Sequence, residues 1–260
     1  MQSAFQEDGT LFTGLESNWG AAVIGDNFLY SQPLNYVDVN TARLIGKIQA
    51  DYSILDNLKF TQSANIDWIN IDETDWDDPT TNDGVNDGGN LTNAFNLART
   101  YTTQSMLKYF NDFGVNHSLD AFVVAETQFF NRSEFNAGGR GFASGKLQTL
   151  NSAAEPDFVG GFLTEYSFLS FLGQASYDFA DKYFIQASFR RDGSSRFGAN
   201  NRWANFLSIG GSWILSEESF LSSVSLINNL RIRANYGTTG NASLPSNFIS
   251  QELYGFGNAY

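Results

Sequence analysis

FLGQASYDFADKYFIQASFRRDGSSRFG, Phe171 to Gly198, is the stretch whose reading decides the fold. It holds two alternating runs joined by a tight turn, and it closes in an Arg- and Gly-rich apex. With Leu169 added, Phe171, Gly173, Ala175 and Tyr177 fall on one face, opposite Ser170, Gln174, Ser176 and Asp178. In the second run Tyr183, Ile185, Ala187 and Phe189 oppose Gln186, Ser188 and Arg190. A period of two marks strands whose faces meet different media. The apolar set ends in aromatic rings on both strands, with small or aliphatic residues between. That pattern suits a strand crossing a bilayer with its rings at the water interfaces.

The same alternation recurs along the chain. Strands are expected at about 41–54, 58–71, 100–110, 116–130, 206–215 and 230–237, besides the pair above. Leu44, Ile48, Ala50 and Tyr52 alternate with Arg43, Lys47, Gln49 and Asp51; Leu230, Ile232, Ala234 and Tyr236 alternate with Arg231, Arg233 and Asn235. The charged residues Arg43, Lys47, Asp51, Lys59, Asp67, Asp120, Glu126, Arg190, Arg231 and Arg233 all share the polar, inward phase. A charge facing lipid at mid-depth costs about 2–4 kcal/mol, so a membrane strand requires this sorting. The exceptions are Ile45, Phe122, Val124 and Phe184 facing inward, and Gln62 facing outward.

Spacing and loop lengths agree. Phe60 and Trp68, like Tyr101 and Tyr109, are eight positions apart, or about 26 Å along a strand. Tilted by about 40°, that spans about 20 Å of height, near the ~25 Å apolar band of membrane barrels. Connections alternate short and long: tight turns at Asp56-Asn57, 111–115 and between the paired runs, long loops at 72–98, 131–166 and 192–205. The segment 216–229 is a medium connection with one helical turn in SEESFL, which Ser216 would cap. Short turns at one end and long loops at the other are the layout of an outer-membrane barrel.

Composition bounds the alternatives. The 260 residues are 42% hydrophobic and 15% aromatic, with 24 Gly, 4 Pro and no Cys. Scarce Pro and frequent aromatics suit long strands. Without Cys there is no disulfide framework, Cys–zinc site or thiol nucleophile. A net charge of −13 disfavours a nucleic-acid partner, since nothing neutralises phosphates. Mean hydropathy is −0.26, the value of a soluble chain, but only alternate residues of a membrane strand meet lipid. No window is long and apolar enough for a transmembrane helix, and MQSAFQEDGT carries no secretory signal. The chain is therefore expected to be an internal piece.

Candidate sites are few. In RRDGSSRFG, Arg190 lies inward at the loop end, Asp192-Gly193 suits a turn, and Asp192 is placed to accept from Ser194 and Ser195 or to pair with Arg196. Ligand or plug contact competes there with a purely structural turn. Trp19, Trp68, Trp76, Phe28 and Tyr30 are candidates for stacking on sugars at the mouth, a reading that competes with an interface girdle or loop packing, which the composition favours. In the acidic loop Asp75, Asp77 and Asp78 are weak Ca²⁺ candidates, without the D-x-[DN]-x-[DN]-G spacing of a calcium loop. His117 and Ser118 are strand neighbours pointing to opposite faces, so they form no catalytic pair, and a lone His makes no zinc site. No enzymatic activity and no cofactor are expected.

Several pieces together resemble the SusC-like (SusC/RagA) branch of TonB-dependent outer-membrane transporters. They are Asp181-Lys182-Tyr183, RRDGSSRFG at Arg190, Arg191, Asp192, Gly193, Ser194, Ser195, Arg196, Phe197 and Gly198, Asn201-Arg202-Trp203, Gly211-Ser212-Trp213, SEESF at 216–220, LRIR at 230–233 and YGTTGN at 236–241. The resemblance implies an outer-membrane location and import of large nutrients such as oligosaccharides or peptides. It also implies a SusD-like lipoprotein partner and energy from TonB, contacted through an N-terminal part. It gives residues 1–260 as a partial barrel, with plug, TonB-contacting segment, signal peptide and remaining strands outside it. The expected fold is thus all-β: an antiparallel transmembrane β-barrel portion of about eight strands, a curved open sheet with short periplasmic turns and long extracellular loops. Trp19, Trp76, Arg190 and Arg196 are its candidate ligand contacts. The alternative is a soluble carbohydrate-binding or adhesin module, whose sheet would hide its apolar face behind a second protein layer.

Overall fold

The computed structural model describes residues 4–16, 27–221, 226–241 and 246–250. It holds one eight-stranded open sheet whose strands lie in sequence order, β1 to β8. The strands are β1 Tyr36–Leu55, β2 Leu58–Asp77, β3 Asn90–Asp112, β4 His117–Phe142, β5 Ala153–Phe179, β6 Tyr183–Ser194, β7 Trp203–Ile214 and β8 Arg231–Gly237. A short helix, α1 Phe28–Ser31, precedes them within the stretch expected to be irregular. Among the described residues no helix is long and apolar enough to cross a membrane.

All eight expected strands are present, but β2 to β5 run well into the stretches read as loops. The loops shrink to 78–89, 143–152 and 195–202. In the added lengths, such as NLTNAFNLAR and NRSEFNAGGRGF, polar residues stand on both faces. Antiparallel ladders need only backbone donors and acceptors, so the pairing continues where the hydrophobic alternation stops. Asp192 and Gly193 are likewise strand residues of β6, paired with Ser170 and Leu169, and not a turn. Ser216 lies inside a one-turn 3₁₀ helix, Leu215–Glu217, that has no side-chain cap.

The β5–β6 hairpin turns at 180–182. Lys182 N donates to Phe179 O at 3.1 Å, and Ala180 and Asp181 take φ of 56° and 55°. Left-handed backbone at both central residues is the type I′ turn, whose twist matches that of its flanking strands. The Asp178 carboxylate holds it by accepting from Asp181 N at 3.0 Å.

Two compact units divide the chain. One comprises Met1–Leu44, Trp68–Arg99 and Arg132–Thr164; the other Ile45–Asp67, Thr100–Asn131 and Glu165–Tyr260. The second unit carries the amphipathic strands. Its outward residues stand bare: Phe171, Tyr177, Ile185, Phe189, Leu207 and Ile209 are all exposed, whereas inward Ser170 is buried. No second protein layer covers that face among the described residues, so the packing a soluble sandwich needs is not met. Some inward charges are paired across strands, Lys59 with Asp51 at 3.4 Å and Lys108 with Asp120 at 2.7 Å. The outward polar exceptions are satisfied locally. Gln62 accepts from the Ser105 hydroxyl at 2.5 Å, and Thr103 and Thr127 share a hydroxyl bond of 2.6 Å. Unpaired, each would cost several kcal/mol in hydrocarbon.

The first unit owns a small core. Trp76 and Leu91 are fully buried and Phe142 nearly so, with Leu150 and Ala153 packed beside them. The Trp76 and Phe142 rings meet edge to face at 4.9 Å. Trp76 therefore holds the unit together and does not face a ligand. The neighbouring acidic loop is tied by Asp78, whose carboxylate accepts from Thr80 N and Oγ1 at 2.9 and 2.6 Å. Truncating Trp76 to Ala should cost this unit about 3–5 kcal/mol. Hydrogen exchange and limited proteolysis at 78–89 should report the opening, with the Phe171–Phe189 hairpin unchanged.

Candidate functional site

The inward side of β5 to β8 forms a cup at the long-loop end of the second unit. Its cavity of about 500 Å³ is lined by Phe168, Arg190, Asp192, Phe197 and Phe206, and by Thr238 to Asn241. Period two puts Phe168, Arg190, Asp192, Ser194 and Phe206 on the same inward phase. The expected Asp192–Arg196 pair does not form. Arg190 Nε instead donates to both Asp192 carboxylate oxygens, at 2.7 and 2.9 Å, because residues two apart on one strand share a face. Arg190 Nη2 also reaches Ser170 Oγ at 3.4 Å.

Arg196 has a different task. Its guanidinium lies 3.7 Å above the Tyr166 ring and 5.8 Å from that of Phe168. Phe130 stacks on the far strand side of Tyr166 at 4.9 Å. A cation on aromatic faces contributes about 0.5–2 kcal/mol, enough to fix the start of the 195–202 loop over the cup. Backbone bonds complete the fixation: Ser194 N to Arg202 O and Ser195 N to Ser167 O, both 3.0 Å. At Gly193 a Cβ would come within 2.8 Å of the Trp203 ring, so only glycine lets that indole lie across β6. RRDGSSRFG thus builds the wall and rim of the cup and presents Arg190 and Asp192 to its interior.

The remaining candidates fall elsewhere. Trp19 lies outside the described residues. Asp75, Asp77 and Asp78 form no metal-holding group among the described residues, Asp78 being engaged by Thr80. His117 Nδ1 meets Tyr177 Oη, while Ser118 Oγ donates to Asp112 Oδ1 at 2.5 Å, so the two neighbours act apart. Tyr30 Oη donates to Thr80 at 3.0 Å and Phe28 is exposed on α1. Sequence reasoning missed Phe168 and Phe206 as cup residues and Tyr166 as the platform of Arg196. Their signal was inward aromatics interrupting a polar phase, the same kind of exception as Phe184, over which Arg231 lies at 5.4 Å. The arrangement offers aromatic faces and a preformed ion pair, which bind polar ligands.

The outward face carries two aromatic bands. At the short-turn end His117, Phe179, Tyr183 and Trp213 form a continuous row with centroids 4.8 to 6.0 Å apart. Tyr183 Oη and Trp213 Nε1 both donate to Glu218, the latter at 3.1 Å. At the other end Phe171 stacks on Trp203 at 6.3 Å. Phe171 and Phe179 are eight residues apart, about 26 Å along β5.

Comparison with known proteins gives a consistent family. No family model matches the chain. TonB-dependent receptor P39 of Formosa agariphila is 32% identical over 241 residues, 91% of this chain and 22% of the relative. TonB-dependent receptor SusC of Bacteroides thetaiotaomicron is 30% identical over 154 residues, 59% of this chain and 15% of that protein. Among solved structures, the RagAB peptide transporter superposes with a TM-score of 0.83 at 24% identity, over 95% of this chain and 27% of that one, a likeness of fold. The chain thus spans about a quarter or less of the proteins it matches.

The Tyr183 hydroxyl, then the Trp213 indole, hold the Glu218 carboxyl below its ordinary pKa. A depressed folded pKa means the stabilisation is complete above the unfolded value and is lost as pH falls through the folded one. Acid titration of Trp213 emission, taken as the difference from Trp213→Phe, should show a transition below the usual glutamate range of about 4.3. Glu218→Gln should abolish it.

Proposed function

We propose, from the premise that this chain belongs to the SusC-like TonB-dependent receptors, that it forms an arc of the barrel wall of an outer-membrane importer of large polar nutrients such as oligosaccharides or peptides. The plug, the TonB-contacting segment and the other strands belong to the rest of the receptor, and a SusD-like lipoprotein sits over the long-loop end. The two-faced sheet carries this reading: an exposed apolar face between two aromatic bands, backed by an inward face of paired charges. In water the exposed apolar face would be a liability; in lipid it is the required surface.

Within the importer the cup at β5–β8 contacts the nutrient or the plug. Phe168, Phe197 and Phe206 supply apolar faces for a sugar ring or a peptide side chain. The Arg190–Asp192 pair offers donors and acceptors on one rigid strand, while Arg196 keeps the rim in place. The step assigned to these residues is binding and release.

The full-length receptor in its own cell tests this. It should fractionate with the outer membrane and require detergent for extraction. Phe206→Ala combined with Arg190→Ala should lower uptake of labelled oligosaccharide or peptide by about tenfold at unchanged surface level. Recovery of the unaltered protein in the soluble fraction would overturn the reading.

A further inference from the structure

The outward face is uneven, and its relief has a recognisable chemistry. Midway along β4 to β6 it carries only small side chains, Ala121, Gly173, Ala175 and Ala187. Ala175 pairs directly with Ala187, and Gly173 with Phe189. Larger residues, Tyr109, Val123, Phe189 and Leu207 among them, stand around this strip. The result is an almost purely apolar trough of about 860 Å³. A smooth lipid-facing wall would fill those positions with Leu, Val or Phe.

Above the trough, at the long-loop end of the same face, lies a second cavity of about 460 Å³. Its lining includes Thr103 and Thr127, which share a hydroxyl bond, Ser167, Ser195, whose Oγ accepts from Ser167 N at 2.9 Å, and Arg202, beside the rings of Tyr101 and Trp203. Hydroxyls next to an indole face suit a sugar. On its border Arg191, which shares the outward phase of Phe189, lays its guanidinium 4.9 Å from the Trp203 ring. Arg191 makes no ion pair with a carboxylate among the described residues. Its cross-strand neighbours are Phe171 and Asn205. On the outward phase of β3 to β8 within this unit it is the one Lys or Arg, and the nearest outward acid of β5, Glu165, stands six positions beyond Phe171. In a chain of net charge −13, two exposed arginines at the rim of an apolar face, Arg191 and the cavity-lining Arg202, mark a place for an anion.

We propose that this face binds one phosphorylated glycolipid of the surrounding leaflet, its phosphate on Arg191, its sugar in the hydroxyl-lined cavity and an acyl chain in the trough. The inference rests on the outward face meeting lipid, as the importer reading holds. Geometry supports the pairing of sites: Arg191, Phe189 and Ala187 are successive outward positions of β6, so the cation lies about 13 Å along the strand from the floor of the trough. Guanidinium–phosphate pairing in a partly dehydrated interface is the strong, geometrically defined kind.

The test uses the full-length receptor purified in mild detergent, with native mass spectrometry and thermal unfolding as readouts. The probe is a lipid A-type phosphorylated glycolipid, compared with its dephosphorylated form and with phosphatidylglycerol. The phosphorylated glycolipid should be retained and should raise the melting temperature, while both comparators bind at least about tenfold more weakly. Arg191→Ala should remove the preference, Arg191→Lys should keep part of it, and Ala187→Trp should weaken binding by filling the trough. Arg231→Ala, on the inward face, should change nothing. Equal binding of phosphatidylglycerol, or undiminished binding to Arg191→Ala, would overturn the proposal while leaving the importer reading intact. A receptor found outside the membrane would remove both.

Discussion

An amide group left without a partner in hydrocarbon costs several kcal/mol, and everything in this sheet answers to that constraint. Strands in sequence order, each hydrogen-bonded to the next, pair the backbone with the shortest connections available. Side chains obey the same rule on the outward face. Gln62 and Ser105 satisfy one another across strands where hydrocarbon supplies no partner, and Thr103 and Thr127 do the same nearer the long-loop end. On the inward face, where water is present, charges still pair, but at the modest gain of exposed ion pairs, typically below about 1 kcal/mol. Their placement there avoids a cost more than it adds stability.

The aromatic rows set where the hydrocarbon begins and ends. Tyr183 and Trp213 bury their ring bodies in the row and turn their polar tips to Glu218, beyond the strands. This is the amphipathic use of Tyr and Trp that interfaces favour. At the opposite row Arg191 and Gly193 serve one indole: glycine gives it room and the guanidinium covers it. The inward cup shares strands with that row but not side chains of the same phase. Arg190 and Arg191, adjacent in sequence, therefore work on opposite sides of one wall.

Strand number, order and phase were legible because lipid and water impose opposite demands on alternate residues. Phe171, Ile185 and Leu207 stand where period two puts them. Strand ends were not legible, since β4 and β5 continue through residues with polar groups on both faces, where no medium enforces alternation. Trp76 shows the limit of composition: an indole in a polar stretch fits a ligand platform or loop packing alike, and the structure gives the packing, in a core with Leu91 and Phe142. The cup's pairing was hidden by distance in space. Arg190 and Asp192 share a face because β6 continues into the apex motif as far as Ser194, and Arg196 finds Tyr166 through the register of β5 against β6.

The same register has a consequence for assembly. Twelve consecutive residue pairs join β5 to β6. A slip of one step would swing Arg190 and Asp192 toward the acyl chains and turn Phe189 and Ile185 to the lumen. Near the interface, where Arg190 lies, a lipid-facing basic residue costs only up to about 1 kcal/mol, so Phe189 and Ile185 turned to water, at about 1.5–3 kcal/mol each, make up most of the penalty of the slipped register. Alternation along a long hairpin therefore proofreads its own insertion, and the left-handed turn at Ala180 and Asp181 is the pin from which the count starts.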